Sequence, residues 1–163
     1  MKTHIAGLTA LLGEAQLLIG DDIGERYHVD WSQESPQAPA LVVRPRDTND
    51  ISATLAYCHE HGLSVVTQGG LSGLAGGATP LPGEIALSLE RLKGIVEIDE
   101  QSMTLTAKSG TPLQVVQQAA AAKGLRLPLD LGARGSAAIG GNVSTNAGGN
   151  QVLSFGMTRA LVL

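Results

Sequence analysis

Residues 63–80 read LSVVTQGGLSGLAGGATP, a short apolar strand that breaks into a loop holding five glycines between Gly69 and Gly77. Upstream, Ala40-Leu41-Val42-Val43 is a second apolar strand, and the stretch between the two strands is helical. Asp47 or Thr48 caps that helix, Ile51, Leu55 and Cys58 share one of its faces, and Gly62 stops it just after His61. A strand, a helix and a strand at this spacing form a βαβ unit with parallel strands. The glycine loop therefore leaves the C-terminal end of a parallel strand, where ligands bind in open α/β sheets.

Downstream, strands are expected at about 84–90, 94–99 and 103–108, the last two joined by a turn at Asp99-Glu100-Gln101-Ser102. Thr111 then caps a helix with Pro112 at its first position, and the helix runs through the alanine tract to Gly124. Leu125–Leu131 leads into GARGSAAIGGNVSTNAGGN, residues 132–150, which holds six more glycines. Eleven of the 21 glycines thus sit in two loops. Glycine is favoured where the chain takes positive φ or another group approaches the backbone closely, and it costs chain entropy elsewhere.

Neither loop carries Gly-x-Gly-x-x-Gly or the Gly-Lys-Ser/Thr of a P-loop, so a dinucleotide Rossmann site and a nucleoside-triphosphatase site are unsupported. The first loop offers unhindered N–H groups with hydroxyls at Ser72 and Thr79, equipment for cradling a pyrophosphate. The second repeats the design with Ser136, Asn142, Ser144, Thr145, Asn146 and Asn150 interleaved. One such loop reads equally well as a surface connection; two point to ligand binding.

The 163 residues are 43% hydrophobic and 16% charged, enough apolar material for a core, which excludes a disordered or collagenous chain. With a net charge of −4 and no lysine or arginine run, the footprint of a nucleic-acid binder is missing. The lone Cys58 makes no disulfide and suits a reducing, cytoplasmic compartment. The N-terminal stretch MKTHIAGLTALLGEAQLLIG has apolar residues at 5, 8, 12, 15 and 19 and reads as one helix. Glu14 and Gln16 interrupt it as a targeting signal, and no transmembrane segment approaches the required ~18 apolar residues. His28 and Trp31 are expected to pack at the N-terminal side, His59 and His61 to end a helix, and no histidine belongs to a metal set or a nucleophilic triad.

QGGLSGLAGG (68–77), LERLKGIVEID (89–99) and LPLDLGARGSAAIGGNVSTNAGG (127–149), in this order and spacing, resemble the FAD-binding domain of the vanillyl-alcohol oxidase or PCMH type. The similarity runs from about Tyr27 to the end. Its nearest branch is that of D-2-hydroxyglutarate dehydrogenases, D-lactate dehydrogenases and glycolate oxidase flavin subunits. Gln68, where many relatives have Arg, and Pro128-Leu129-Asp130-Leu131-Gly132, where many have Pro-Pro-Asp-Pro-Gly, lean toward the first of these.

The resemblance implies an α+β fold with α/β-like subdomains: an N-terminal helical segment over 1–39, a first FAD-binding subdomain over 40–98, and the start of a second over 99–163. It implies that Gln68, Gly69, Gly70, Leu71, Ser72, Gly73, Leu74, Gly76 and Gly77 form the pyrophosphate loop. Asp130, Gly135, Ser136, Gly140, Gly141, Asn142, Ser144, Thr145 and Gly148 would line the ribityl chain and the flavin edge. Leu71, where the branch often has Asn, and Ala137-Ala138, where it often has Cys-His or Cys-Thr, depart from the pattern. Covalent relatives place a His where this chain has Ser72, so noncovalent FAD is implied.

The activity implied is oxidation of a small-molecule D-2-hydroxy acid by hydride transfer to FAD, with an electron acceptor completing the cycle. The catalytic residues and any metal ligands would lie in a substrate domain beyond this stretch. The apolar run Ala160-Leu161-Val162-Leu163 reads as the start of an unpaired strand, which makes self-association an expectation. The alternatives are a non-catalytic flavin-binding module acting through a partner and a truncated relic without activity.

Overall fold

The computed structural model describes all 163 residues, which divide into two units, Met1–Arg91 and Leu92–Leu163. In the first unit the N-terminal stretch forms α1 (Lys2–Leu12), which ends at Gly13 with a φ of 90°. The single helix expected through residue 19 is therefore cut short: Glu14–Gln16 make a 3-10 turn and Leu17–Leu18 form β1. β1 pairs antiparallel with β2 (Leu41–Val43), Leu17 opposite Val43, so cross-strand pairing overrides the helical spacing of the apolar residues.

The next helix, α2 (Thr48–Glu60), starts as expected: Asp47 is the N-cap and its Oδ1 accepts the Asp50 N–H at 3.0 Å. Its buried side differs from the Ile51–Leu55–Cys58 stripe. Asp50, Thr54 and Cys58 face inward while Leu55 is exposed. A carboxylate tolerates this position because the Arg46 guanidinium forks it, with Nε at 2.8 Å from Oδ2 and Nη2 at 3.0 Å from Oδ1. Thr54 Oγ1 donates to the Asp50 carbonyl at 2.6 Å, which satisfies the second buried polar group.

β3 (Val65–Gln68) and β4 (Ile85–Ser88) complete a four-stranded sheet in the order β1-β2-β4-β3. β4 is parallel to both β2 and β3 and separates them. All four residues of β4 are buried, whereas β3 leaves Thr67 exposed, so the later and more apolar strand takes the centre and β3 the edge. Alternation sorts the sheet's two faces. Leu41, Val43, Ile85 and Leu87 pack with Leu8 and Leu12 of α1 and Cys58 of α2, while Val42 and Ala86 pack with Tyr27 on the opposite face.

The second unit begins with the antiparallel hairpin β5 (Ile95–Asp99) and β6 (Thr104–Ala107). The expected subdomain start at residue 99 is the last residue of β5, seven positions after the unit begins at Leu92. Asp99 Oδ1 accepts the N–H groups of Gln101 and Ser102 at 2.9 and 3.2 Å, which closes the turn. α3 (Leu113–Ala121) has Pro112 at its N-cap. Thr111 is not the cap: its hydroxyl, buried, donates to the Lys108 carbonyl at 2.6 Å and accepts the Gly94 N–H at 3.0 Å, tying the chain before the helix to the start of the hairpin.

Two short helices follow, α4 (Ile139–Ser144) and α5 (Val152–Phe155). The strand expected at 160–163 is absent. Thr158–Leu161 form a 3-10 turn, held by Thr158, whose N–H and hydroxyl both donate to the Ala147 carbonyl at 3.0 and 2.7 Å. Within this unit Leu105, Val116, Leu129, Ile139 and Leu161 line an apolar cleft.

Candidate functional site

The first glycine loop leaves β3 at Gln68, as the strand pattern requires. Gly69, Gly70, Leu71, Ser72 and Gly76 are half-buried, and Gly73, Leu74 and Gly77 are exposed. A Cβ built at Gly76 or Gly77 meets nothing within 4 Å, and Gly76 has a φ of 71°. The backbone there is open to a ligand. Leu71 takes a φ of 54°, a left-handed conformation that an aliphatic side chain disfavours and Asn tolerates better.

Side chains anchor the two ends of this loop. Gln68 is fully buried, and its Nε2 donates to the carbonyls of Tyr27 and Ala78, each at 2.9 Å. Thr79 Oγ1 accepts the Asp30 N–H at 3.3 Å, and Asp30 Oδ2 lies 3.4 Å from where a Cβ on Gly73 would stand. Asp30 is buried and its Oδ1 accepts the Ser32 N–H at 3.0 Å. The segment RYHVDW thus braces the loop, but through Tyr27 and Asp30. The expected packing role of Trp31 is corrected: its side chain is 71% exposed.

A charged cluster stands at the C-terminal ends of β2 and β4. Glu90 accepts the Tyr27 hydroxyl at 2.8 Å and pairs with Arg26 at 2.9 Å and, more loosely, with Arg44 at 3.7 Å. Burial, reinforced by the Glu90 hydrogen bond, pushes the Tyr27 phenol up from its ordinary value. Two buried side-chain atoms in the molecule lack a partner, Gln68 Oε1 and Arg44 Nε, and both belong to residues at the C-terminal ends of parallel strands. Sequence reading passed over Arg44, Tyr27, Asp30 and Glu90. The available signal was Arg44 directly after the apolar run Leu41–Val43, at the strand end where ligands bind.

The second glycine stretch is not one loop. Gly140, Gly141, Asn142 and Ser144 lie in α4, with Thr145 at its C-cap. Asn142 is buried, whereas Gly135, Ser136, Ser144 and Thr145 are exposed. The Ser136 and Thr145 hydroxyls donate to the carbonyls of Ala133 and Gly141, at 3.2 and 2.9 Å. Asp130 is half-buried and forms an ion pair with Arg134 at 2.7 Å, and its carbonyl accepts the Asn150 N–H at 2.9 Å. Gly148 packs against Val152 and Met157. A Cβ on Gly149, absent from the sequence-based set, would overlap the Asp130 carbonyl, and one on Gly140 would stand 3.0 Å from the Ser109 carbonyl oxygen. Gly141 has nothing within 4 Å.

His4 and His61 pack around one aromatic ring. The Tyr57 ring stacks on His61 with centroids 4.1 Å apart and meets His4 edge-on at 6.2 Å, fastening the start of α1 to the end of α2. Burial raises the Cys58 thiol, which keeps it protonated and inert.

The chain is similar to known proteins over most of its length. It is 41% identical over 139 residues to the mitochondrial D-2-hydroxyglutarate dehydrogenase of Bos taurus, an alignment covering 85% of this chain and 26% of that protein. It is 40% identical over 138 residues to the D-2-hydroxyglutarate dehydrogenase of Xanthomonas citri pv. viticola, covering 85% and 29%. The chain therefore spans between a quarter and a third of the length of these relatives. Among solved structures, alkyldihydroxyacetonephosphate synthase superposes with a TM-score of 0.86 at 18% identity, covering 96% of this chain and 31% of that one. The 6-hydroxy-D-nicotine oxidase of Arthrobacter nicotinovorans gives 0.74 at 22% identity, covering 88% and 31%. These likenesses establish the α+β fold. Residues 39–163, which include both glycine-rich stretches and the parallel strands β2, β3 and β4, match the family described as "FAD binding domain". The chain belongs to that FAD-binding domain family.

Proposed function

We propose that this chain is the cofactor-holding part of a flavoprotein oxidoreductase that oxidises a D-2-hydroxy acid of the D-2-hydroxyglutarate type. The observation that carries the cofactor reading is the loop after β3: its backbone at Gly76 and Gly77 has open space where side chains would stand. A pyrophosphate needs unhindered N–H donors, which such an open backbone supplies. The residues present fit FAD. Arg44, its side chain 23% exposed, adds a cation at the C-terminal end of β2.

When bound, FAD supplies the hydride acceptor for oxidation of a carbinol carbon. This chain's residues bind and orient. Gln68 and Thr79 hold the ends of the first loop, so its N–H groups are ordered before a ligand arrives and less chain entropy is lost on binding. The α4 backbone at Gly141 offers a second surface without a side chain. Ser72 stands where covalent relatives carry a linking His, which supports a noncovalent cofactor. The substrate class is supported by the names of the relatives, at 34 to 41% identity for the dehydrogenases of D-2-hydroxyglutarate.

The test uses the protein that carries this chain, purified and then precipitated with acid. Yellow colour is expected in the supernatant; colour retained in the pellet ends the noncovalent reading. Dye reduction is then followed with D-2-hydroxyglutarate, D-lactate and glycolate. The first is expected to give the highest kcat/KM, and a preference for either of the others overturns the substrate assignment while leaving the cofactor untouched.

A further inference from the structure

The three most exposed large apolar side chains of the first unit are Leu74 at 75%, Trp31 at 71% and Leu81 at 65%; the next, Leu11, is at 48%. They are far apart in sequence, and one buried residue gathers them. Asp30 adjoins Trp31, and its N–H donates to the hydroxyl of Thr79, two residues before Leu81. Its Oδ2 lies 3.4 Å from where a Cβ on Gly73, the neighbour of Leu74, would stand. Apolar residues scattered singly over a surface are ordinary, whereas several gathered in one place mark a binding surface. This one is built on the glycine loop and its brace, beside the open backbone of Gly76 and Gly77.

Trp31 is also held still. It is the second residue of a turn in which the Gln33 N–H and the Gln33 Nε2 both donate to the Asp30 carbonyl, at 3.2 and 3.0 Å, while Asp30 Oδ1 accepts the Ser32 N–H at 3.0 Å. A backbone tied in this way presents the indole with little further ordering when a ligand meets it. Phosphate oxygens gain nothing from an indole face or from leucine side chains. A planar ring does, because it stacks on the indole and leaves water as it does so.

We propose that Trp31 is a stacking platform for a planar ring of the bound cofactor, set in the apolar surface it shares with Leu74 and Leu81. The proposal rests on the FAD reading above and extends it to a residue outside both glycine stretches. FAD carries such a ring at either end of its pyrophosphate, adenine on one side and isoalloxazine on the other, and the stacking chemistry is common to the two.

The protein that carries this chain, stripped of flavin, is titrated calorimetrically with FAD, ADP and FMN, unaltered and as Trp31→Ala and Trp31→Phe. Trp31→Ala is expected to weaken FAD binding about tenfold, the scale of one ring stacked on an aromatic side chain. Trp31→Phe, which keeps a ring, is expected to stay within about threefold of the unaltered protein. A loss shared by ADP and not FMN assigns the platform to adenine, and one shared by FMN and not ADP assigns it to isoalloxazine. The melting temperature of the flavin-free protein is expected to be the same in all three forms, since so exposed a side chain carries little of the fold. Trp31→Ala binding FAD within twofold of the unaltered protein overturns the platform and leaves the FAD reading standing. So does Trp31→Phe as weak as Trp31→Ala, or a loss confined to FAD with both smaller ligands bound as before. A lower melting temperature in flavin-free Trp31→Ala also overturns it, and assigns the apolar surface to contact with another part of the protein. If the unaltered protein binds no FAD, the FAD reading itself falls and takes the platform with it.

Discussion

The two glycine-rich stretches look alike in composition and are built on different physics. In 69–79 the chain forms no helix, its ends are tied by Gln68 and Thr79, and a Cβ on Gly76 or Gly77 would stand in open space. In 132–150 the middle is the helix α4, and several glycines are there because other parts of the same unit press on them. Gly149 lies under the Asp130 carbonyl, Gly140 against Ser109, and Gly148 against Val152 and Met157. Gly141 alone among the α4 and 148–149 glycines has nothing within 4 Å. A cluster of glycines is therefore two signals mixed: room for a ligand in the first stretch, and close contact of the chain with itself in most of the second.

The largest expected effect breaks or keeps that distinction directly. Gly149→Ala should cost about 3 kcal/mol, because the new methyl overlaps a carbonyl that cannot swing away. Gly132→Ala, where a Cβ would meet nothing within 4 Å, should stay within about 0.5 kcal/mol in the same thermal melt. Equal melting temperatures for the two variants would remove the packing role given to the second stretch.

Gly141→Ala sharpens the contrast because its two readouts should move in opposite directions. A helix interior gains up to about 1 kcal/mol when Gly becomes Ala, so the melting temperature rises. FAD affinity falls about tenfold or more if a ligand approaches that backbone. A stabilised protein with unaltered FAD affinity would mean that the space beside Gly141 is plain solvent.

A smaller effect concerns the frame from which the first loop hangs. The Arg46 guanidinium holds the Asp50 carboxyl below its ordinary value, the hydrogen bond being the main cause. A carboxyl lowered in the folded state stabilises fully above its unfolded pKa near 4, and the contribution is lost as pH falls below that toward the folded value. Urea midpoints from pH 7 down to pH 2 should therefore drop on the acid side, and Asp50→Asn should lose stability at pH 7 with a shallower acid limb. An unchanged acid limb in the variant would show that the pair does not support α2. The smallest effect is at Leu71: Leu71→Asn should raise stability by about 0.5–1 kcal/mol by relieving left-handed backbone strain, and a fall in melting temperature would show that the aliphatic contacts outweigh it.

What was legible from the residues in order is everything governed by neighbours within about a helical turn. Asp47 capping α2, Gly62 ending it, the Asp99 turn and the short apolar strands all rest on local chemistry, and each stands as expected. The family likeness rested on the spacing of glycines, which is also a linear property. The features that went unread depend on partners far along the chain. Leu17 and Leu18 carry helical spacing yet form a strand because Val43 and Val42 offer them an edge. Thr111 looks like a cap until Gly94 and Lys108 claim its hydroxyl. Nothing near Gln68 in the sequence shows that its amide reaches Tyr27, 41 residues away, or that its oxygen is left without a donor. Local propensities are worth tenths of a kcal/mol per residue, whereas a strand pairing or a buried amide engages several groups at once, so where the two disagree the long-range contact wins.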